Sequence, residues 1–251
     1  MTNKNKPFSI RRKVIKRISE EVATAIRSGC PPLVIVHGGG SFGHPLAKKY
    51  GIHHGFREET QLIGFAETVQ AMRRLSGVIA ENLHTSGVPA LPLQPSAITV
   101  QKNGRIAVMF SEVIEKALAM GFTPVLWGDA VLDEEKRFTI LSGDQIVSHL
   151  SAVLSPLRVV FGTDVDGICP TDPKRTKTRP FEELKRSELE MMTTRPSESG
   201  GVDVTGGMMG KLNEIISITS RGIEVVVTNA TKAGNILRAL LGGKVGTLVK
   251  P

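Results

Sequence analysis

Val36-His37-Gly38-Gly39-Gly40-Ser41-Phe42-Gly43-His44-Pro45 follows directly on the apolar run Leu33-Val34-Ile35-Val36. The run is short and β-branched, as a buried strand is. Gly38, Gly40 and Gly43 satisfy G-x-G-x-x-G after a strand, but a dinucleotide fold needs a second strand ending in an acid about 20 residues on. Residues 51–60 carry no such strand. Three consecutive glycines exceed what a tight turn requires, and they let backbone amides approach an oxyanion without obstruction. The loop is therefore read as a phosphate cradle. His44 closes it, with its backbone restrained by Pro45, and its imidazole can donate a hydrogen bond to a phosphate oxygen. His37, at the strand end, reads as packing.

Working outward, helical and extended periods alternate. Ile10, Val14, Ile18, Val22 and Ile26 give residues 9–28 one apolar helical face. Residues 60–86 read as helix, 88–93 as a short strand, Ser111 to about Met120 as helix and Thr123–Trp127 as strand. Val131–Leu132 and Arg137–Leu141 read as a hairpin, and Ser142-Gly143-Asp144 caps a helix to Leu154. Leu157–Phe161 reads as strand. Residues 163–206, rich in Pro, Gly, Thr and charge, read as loops over a site with one helical piece near 182–192. Helix 207–221, strand 223–228, helix 232–241 and a strand near 245–249 follow. Strands alternating with helices of this length predict an α/β chain with a mostly parallel sheet covered on both faces. If there are two lobes, the cut falls near 155–165.

A second glycine-rich segment, Asp203-Val204-Thr205-Gly206-Gly207-Met208-Met209-Gly210-Lys211, ends in lysine at a helix start. It is not a Walker A loop, which needs glycine at 205 and Ser or Thr at 212, where Thr205 and Leu212 stand. Open amides and a lysine nonetheless suit a polyphosphate. Ser142-Gly143-Asp144 and Thr163-Asp164-Val165-Asp166-Gly167 each follow a strand, and carboxylates there face the crevice where α/β proteins bind ligands; each can equally be a cap or an Asx-turn.

Composition narrows the partner. The 251 residues are 40% hydrophobic and 22% charged, as in ordinary globular proteins, and carry a net charge of +8. The sign points to an anionic partner. Aromatics are only 4%, which argues against an RNA binder built on stacking platforms. Lys4, Lys6, Arg11, Arg12, Lys13, Lys16 and Arg17 crowd the start, and Lys174, Arg175, Lys177 and Arg179 form a second cluster. The first group shares a helix with a well-formed apolar face and reads as its solvent side, so no nucleic acid partner is expected. Two distant cysteines, Cys30 and Cys169, make neither a disulfide framework nor a zinc ribbon. His53, His54, His84 and His149 lack metal-ligand spacing, and no resident metal is expected. No apolar run reaches the length of a membrane span, so membrane association is not expected and the cytoplasm is the default.

Taken together, the glycine loop with its histidine, Leu141-Ser142-Gly143-Asp144, Thr163 to Gly167 and the segment ending in Lys211 resemble the amino acid kinase superfamily and, within it, the archaeal isopentenyl phosphate kinases. The resemblance spans nearly the whole chain, and the glycine loop with its histidine is its most discriminating piece. It implies one amino acid kinase-like domain over 1–251, an open αβα sandwich with an N-terminal lobe (about 1–155) for the acceptor phosphate and a C-terminal lobe (about 156–251) for ATP. It implies that Gly39 and Gly40 lie against phosphates, Gly39 binding the acceptor with Asp144 and Gly40 binding ATP, and that His44 binds the acceptor phosphate. Asp144 would organise cationic groups, Gly207 and Lys211 would hold the ATP phosphates, and Asp164 or Asp166 would lie near the nucleotide. Lys4 would stabilise the transferred charge. ATP and Mg²⁺ are the implied cofactors, a homodimer the implied assembly, and isopentenyl diphosphate, from an alternative mevalonate route to isoprenoids, the implied product.

The family opens with a strand and a lysine-containing glycine turn; this sequence opens at the Lys4 segment, so the expectation is either a longer natural chain or an impaired homologue. Ile52, Phe56, Ile63, Phe65 and Met72 are candidates for a short prenyl pocket, and equally for core. The alternatives are a kinase for another small phosphate or phosphonate, of the fosfomycin-kinase kind, and a non-catalytic nucleotide-binding homologue.

Overall fold

The computed structural model of the chain describes residues 1–2, 6–171, 178–194 and 206–251. They fall into two units, Met1–His149 and Leu150–Pro251. The first contains, in order, α1 (Arg12–Arg27), β1 (Ile35–His37), α2 (Gly40–Lys49), a 3-10 turn (Ile52–His54), α3 (Thr60–Thr85), β2 (Ala90–Pro92), α4 (Pro95–Ile98), β3 (Thr99–Lys102), β4 (Arg105–Met109), α5 (Glu112–Ala119), β5 (Thr123–Trp127), β6 (Asp129–Asp133) and β7 (Arg137–Leu141). Helix α6 (Gly143–Leu154) begins in this unit.

Strand β5 is the middle of a three-stranded parallel sheet ordered β1-β5-β2. All of its residues are buried, which is why its sequence is a near-continuous apolar run rather than an alternation. The long α3 packs against α1, α2, β2, β5 and β6. Its buried stripe, Thr68, Met72, Leu75, Ile79 and Leu83, advances in steps of three and four. The exposed Arg12, Lys13 and Lys16 lie on the solvent side of α1, as its apolar face requires.

A second sheet, β4-β3-β6-β7, is made of two hairpins joined by the parallel β3–β6 pair. The β3–β4 hairpin lies where the sequence reading assigned nothing. Its turn is Asn103-Gly104, with φ of +48° and +80°, the left-handed pair that suits a two-residue hairpin. Asp133 at the end of β6 ties this turn to the next. Its carboxylate accepts the N–H groups of Asn103 (3.1 Å), Gly104 (2.7 Å), Glu135 (2.9 Å) and Lys136 (2.8 Å). Burial pushes that carboxyl up, but the four N–H donors together hold it below the ordinary range.

The second unit contains β8 (Arg158–Thr163), β9 (Glu183–Lys185), α7 (Arg186–Thr194), α8 (Gly206–Thr219), β10 (Glu224–Asn229), α9 (Asn235–Leu240) and β11 (Thr247–Lys250). Its sheet is ordered β8-β10-β11-β9, with β8–β10 and β11–β9 parallel and β10–β11 antiparallel. Helices α8 and α9 pack on β10. The fold is thus α/β with parallel pairing in both units, its described strands divided among three sheets. Among the described residues no helix is long and apolar enough to cross a membrane. Lys4, Lys174, Arg175, Lys177 and the Asp203–Thr205 part of the second glycine segment lie outside the described residues.

Candidate active site

The expected loop over residues 38–45 is largely helix. Strand β1 ends at His37, Gly39 caps α2, and Gly40 is the first helical residue. Pro45 and three glycines argue against a helix from sequence, yet each has a packing reason here. A Cβ on Gly40 would fall directly on Thr2 Oγ1, one on Gly39 would lie 3.2 Å from His44 Cδ2, and one on Gly43 would lie 2.9 Å from Met72 Sδ. Gly40 also has φ +48°, which disfavours any side chain there. Pro45 has no N–H to offer the Ser41 carbonyl one turn back. The Phe8 N–H takes that carbonyl instead, at 2.9 Å.

Ser41 is bound further by the N-terminal segment. Its N–H donates to Thr2 Oγ1 (3.2 Å), while its hydroxyl donates to Ser9 O and accepts the Ser9 N–H, both at 3.2 Å. Thr2 in turn bridges Ile10. Both flanks of Lys4 are therefore sewn to the first turn of α2. The Gly39 and Gly40 N–H groups have no partner among the described residues. The exposed His44 lies on the same helix, its ring against Gly39. Gly39, Gly40 and His44 are thus brought together at one helix N-terminus, an arrangement suited to a phosphate.

The floor beside it is buried and polar. His37 is stacked on Trp127, ring centroids 5.9 Å apart, and is 2% exposed, in keeping with a packing role. Its Nδ1 is 3.3 Å from Gly38 O, while its Nε2 finds no partner among the described residues. Burial lowers its pKa to about 4, against a smaller upward pull from that backbone contact. Asp129 accepts N–H groups from Ser96 (3.3 Å) and Ala130 (3.0 Å). Burial nonetheless raises its carboxyl to about 7.

The start of α6 joins the same place. The Gly128 N–H donates to His37 O at 3.0 Å, and a Cβ on Gly143 would meet that carbonyl at 3.4 Å. A Cβ on Gly128 would lie 3.1 Å from the Gly143 amide nitrogen. Two glycines thus let the ends of β1 and β5 meet the first turn of α6, which carries the half-buried Asp144. Gly128 does not stand out in the sequence, and Gly143 reads there only as part of the Ser142-Gly143-Asp144 cap, because the requirement is a close approach between distant segments.

Of the apolar candidates, Ile52, Phe56 and Phe65 pack with Ala130 and Phe138 in one cluster. Met72 lies under the glycines instead. Ile63 is 63% exposed and belongs to neither; its helical spacing placed it on the solvent side of α3.

In the second unit the candidates gather at the C-terminal end of β8. Lys211, in the second turn of α8, holds its ammonium 4.5 Å from the Phe161 ring centroid. Asp164 is exposed just past the strand. Asp166 is engaged by Asn229 Nδ2 (2.9 Å) and by Lys232 Nζ (2.8 Å to Oδ1), and those two donors hold its carboxyl below the ordinary range. Gly207 is in the first turn of α8.

Residues 1–229 match the amino acid kinase family. The chain belongs to that family. Within it, the chain is 38% identical to an isopentenyl phosphate kinase of Methanothermobacter thermautotrophicus over 245 residues, 94% of this chain and 90% of that one. It is 34% identical to an isopentenyl phosphate kinase of Methanocaldococcus jannaschii, over 98% of this chain and 94% of that one. A solved isopentenyl phosphate kinase structure superposes with a TM-score of 0.83 at 35% identity, covering 96% of this chain and 92% of that chain. Placed in the amino acid kinase family, the chain has its two glycine-led helix starts, α2 and α8, one in each unit.

Proposed function

We propose that this chain transfers the γ-phosphoryl group of ATP to isopentenyl phosphate, forming isopentenyl diphosphate for isoprenoid synthesis by an alternative mevalonate route. The observation that carries the reading is the α2 N-terminus, where the Gly39 and Gly40 amides and the His44 ring meet, in a chain so similar to named isopentenyl phosphate kinases. A phosphate monoester is already nucleophilic near neutral pH, so the protein need not supply a strong base. Its task is to hold two polyanions in line and neutralise the charge on the transferring group. The first unit takes the acceptor phosphate on Gly39, Gly40 and His44, with Asp144 organising the cations around it. The apolar cluster of Ile52, Phe56, Phe65 and Phe138 takes the prenyl tail. The second unit takes ATP, with Gly207 and Lys211 on its phosphates and Asp164 near the nucleotide. Lys4 neutralises the transferred charge.

Mg²⁺ fits as an ion carried by the nucleotide. Among the described residues no group of three or more His, Cys, Asp or Glu could hold a metal, and Asp166 is taken up by Lys232 and Asn229. Such an ion is held by phosphate oxygens with one or two carboxylates at most, and it supplies charge neutralisation. The reading also takes the enzyme as a cytoplasmic homodimer. A phosphonate acceptor of the fosfomycin kind would use the same phosphate cradle but bring no prenyl tail to the apolar cluster. Comparing kcat/KM for isopentenyl phosphate and fosfomycin decides between them. The reading expects isopentenyl phosphate to win by at least about 100-fold, the worth of three to four buried methylenes; preference for fosfomycin, or ATP binding without turnover of either, overturns it.

A further inference from the structure

Gln145 is buried, 6% exposed, one residue beyond Asp144. Ser142 and Gln145 have the S-x-x-Q spacing of a capping box, in which the glutamine side chain would turn back to the Ser142 N–H. Half of the box forms: the Gln145 N–H donates to Ser142 Oγ at 3.1 Å. The other half is diverted across the molecule. Gln145 Oε1 accepts the Ile106 N–H (2.9 Å) and Gln101 Nε2–H (3.2 Å), and its Nε2 donates to Gly104 O (3.0 Å). Gln101 Nε2 donates to the same carbonyl at 3.0 Å. The first turn of α6 is thereby fastened to the β3–β4 hairpin through three contacts. The Asn103-Gly104 turn that receives them is held in turn by Asp133, which also holds the β6–β7 turn.

We propose that Gln145 is a positioning residue for phosphoryl transfer: its amide fixes the α6 turn that carries Asp144 against the β3–β4 hairpin. The inference rests on the reading of Asp144 as a site residue. A buried amide satisfied on both its oxygen and its nitrogen tolerates few orientations, so the turn has one setting rather than several. Misplacing a charge organiser by a fraction of an ångström lowers turnover more than binding.

The test compares Gln145→Met, which keeps the side-chain volume but removes every side-chain hydrogen bond, with Gln145→Glu, which keeps the acceptor oxygen for Ile106 N–H but sets a second acceptor against Gly104 O. The expected result is a drop in kcat of about 10-fold or more for Gln145→Met, with both KM values within about threefold. Gln145→Glu is expected to lose kcat as well, because its second carboxylate oxygen faces the Gly104 carbonyl that Nε2–H serves in the parent. Gln145→Met combined with Asp144→Asn should cost little beyond Asp144→Asn alone, because both act on one group. An effect confined to KM, or a kcat within about threefold of the parent in either Gln145→Met or Gln145→Glu, overturns the proposal. If Gln145→Met does not fold, Gln101→Met removes one donor to the same oxygen, and an unchanged kcat there overturns it equally. An unchanged kcat in Asp144→Asn overturns both this inference and the site reading beneath it; a drop there beside an intact Gln145→Met overturns the inference alone.

Discussion

Two buried groups, Asp129 and His37, give the floor of the first unit opposite pH responses. The Asp129 carboxyl sits at about 7 in the fold and near 3.8 when unfolded. The folded chain therefore holds a proton that the unfolded chain has lost between these values, and stability falls as pH rises from about 4 through 7. His37 is at about 4 in the fold and near 6.5 unfolded. There the unfolded chain takes the extra proton, so stability falls as pH drops below about 6.5. The two slopes offset between about 4 and 6.5, and only the Asp129 cost remains near neutrality. Asp129→Asn cannot ionise but keeps only one of the two acceptor oxygens, which receive the Ala130 N–H (Oδ1) and the Ser96 N–H (Oδ2) separately; its stability relative to the parent is expected to be better at pH 8 than at pH 5 by about 1–3 kcal/mol. Urea midpoints at the two pH values check this; an equal change at both would contradict the assignment of the cost to ionisation.

At the scale of elements, α2 matters most, and it was the least legible from sequence. The strand before it, the long α3, β5 and the β6–β7 hairpin were readable because hydrophobic period and turn residues agree there. In residues 38–45 local signals pointed away from helix, and only the N-terminal segment reverses them. Phe8 takes the carbonyl that Pro45 cannot serve, and Thr2 takes the Ser41 N–H. The phosphate character of the loop and the candidacy of His44 were legible, since glycine amides and an imidazole are chemistry-bearing by type. Gly128, Gln145 and the packing role of Gly143 were not, because they depend on partners far away in sequence. The Asn103-Gly104 turn, by contrast, is a local hairpin signal. Gly40→Ala tests the α2 junction. Left-handed backbone and the Thr2 hydroxyl both oppose the new methyl, so the variant is expected to lose about 1–3 kcal/mol and to release the Phe8 N–H to faster hydrogen exchange. Unchanged protection at Phe8 would contradict the stitching of the N-terminal segment to α2.

Across the whole molecule, a net charge of +8 suits two anionic substrates, and the account divides them between the units. Ligands that bind only the folded state stabilise it, by about 2.7 kcal/mol at a hundred times Kd. Thermal melts of two variants separate the assignments. Lys211→Ala should lose most of the shift produced by ATP and keep that produced by isopentenyl phosphate, while His44→Ala should do the reverse. A Lys211→Ala protein that responds normally to ATP would remove the nucleotide assignment from α8.

The central claim is that this chain phosphorylates isopentenyl phosphate at a cradle containing His44. Phosphorus NMR of the chain with MgATP and isopentenyl phosphate observes the reaction directly. The account predicts new diphosphate resonances matched by ADP, formed roughly 100-fold more slowly by His44→Ala, the usual loss for one donor to a charged oxygen. No diphosphate from the parent chain, or undiminished formation by the variant, would contradict it.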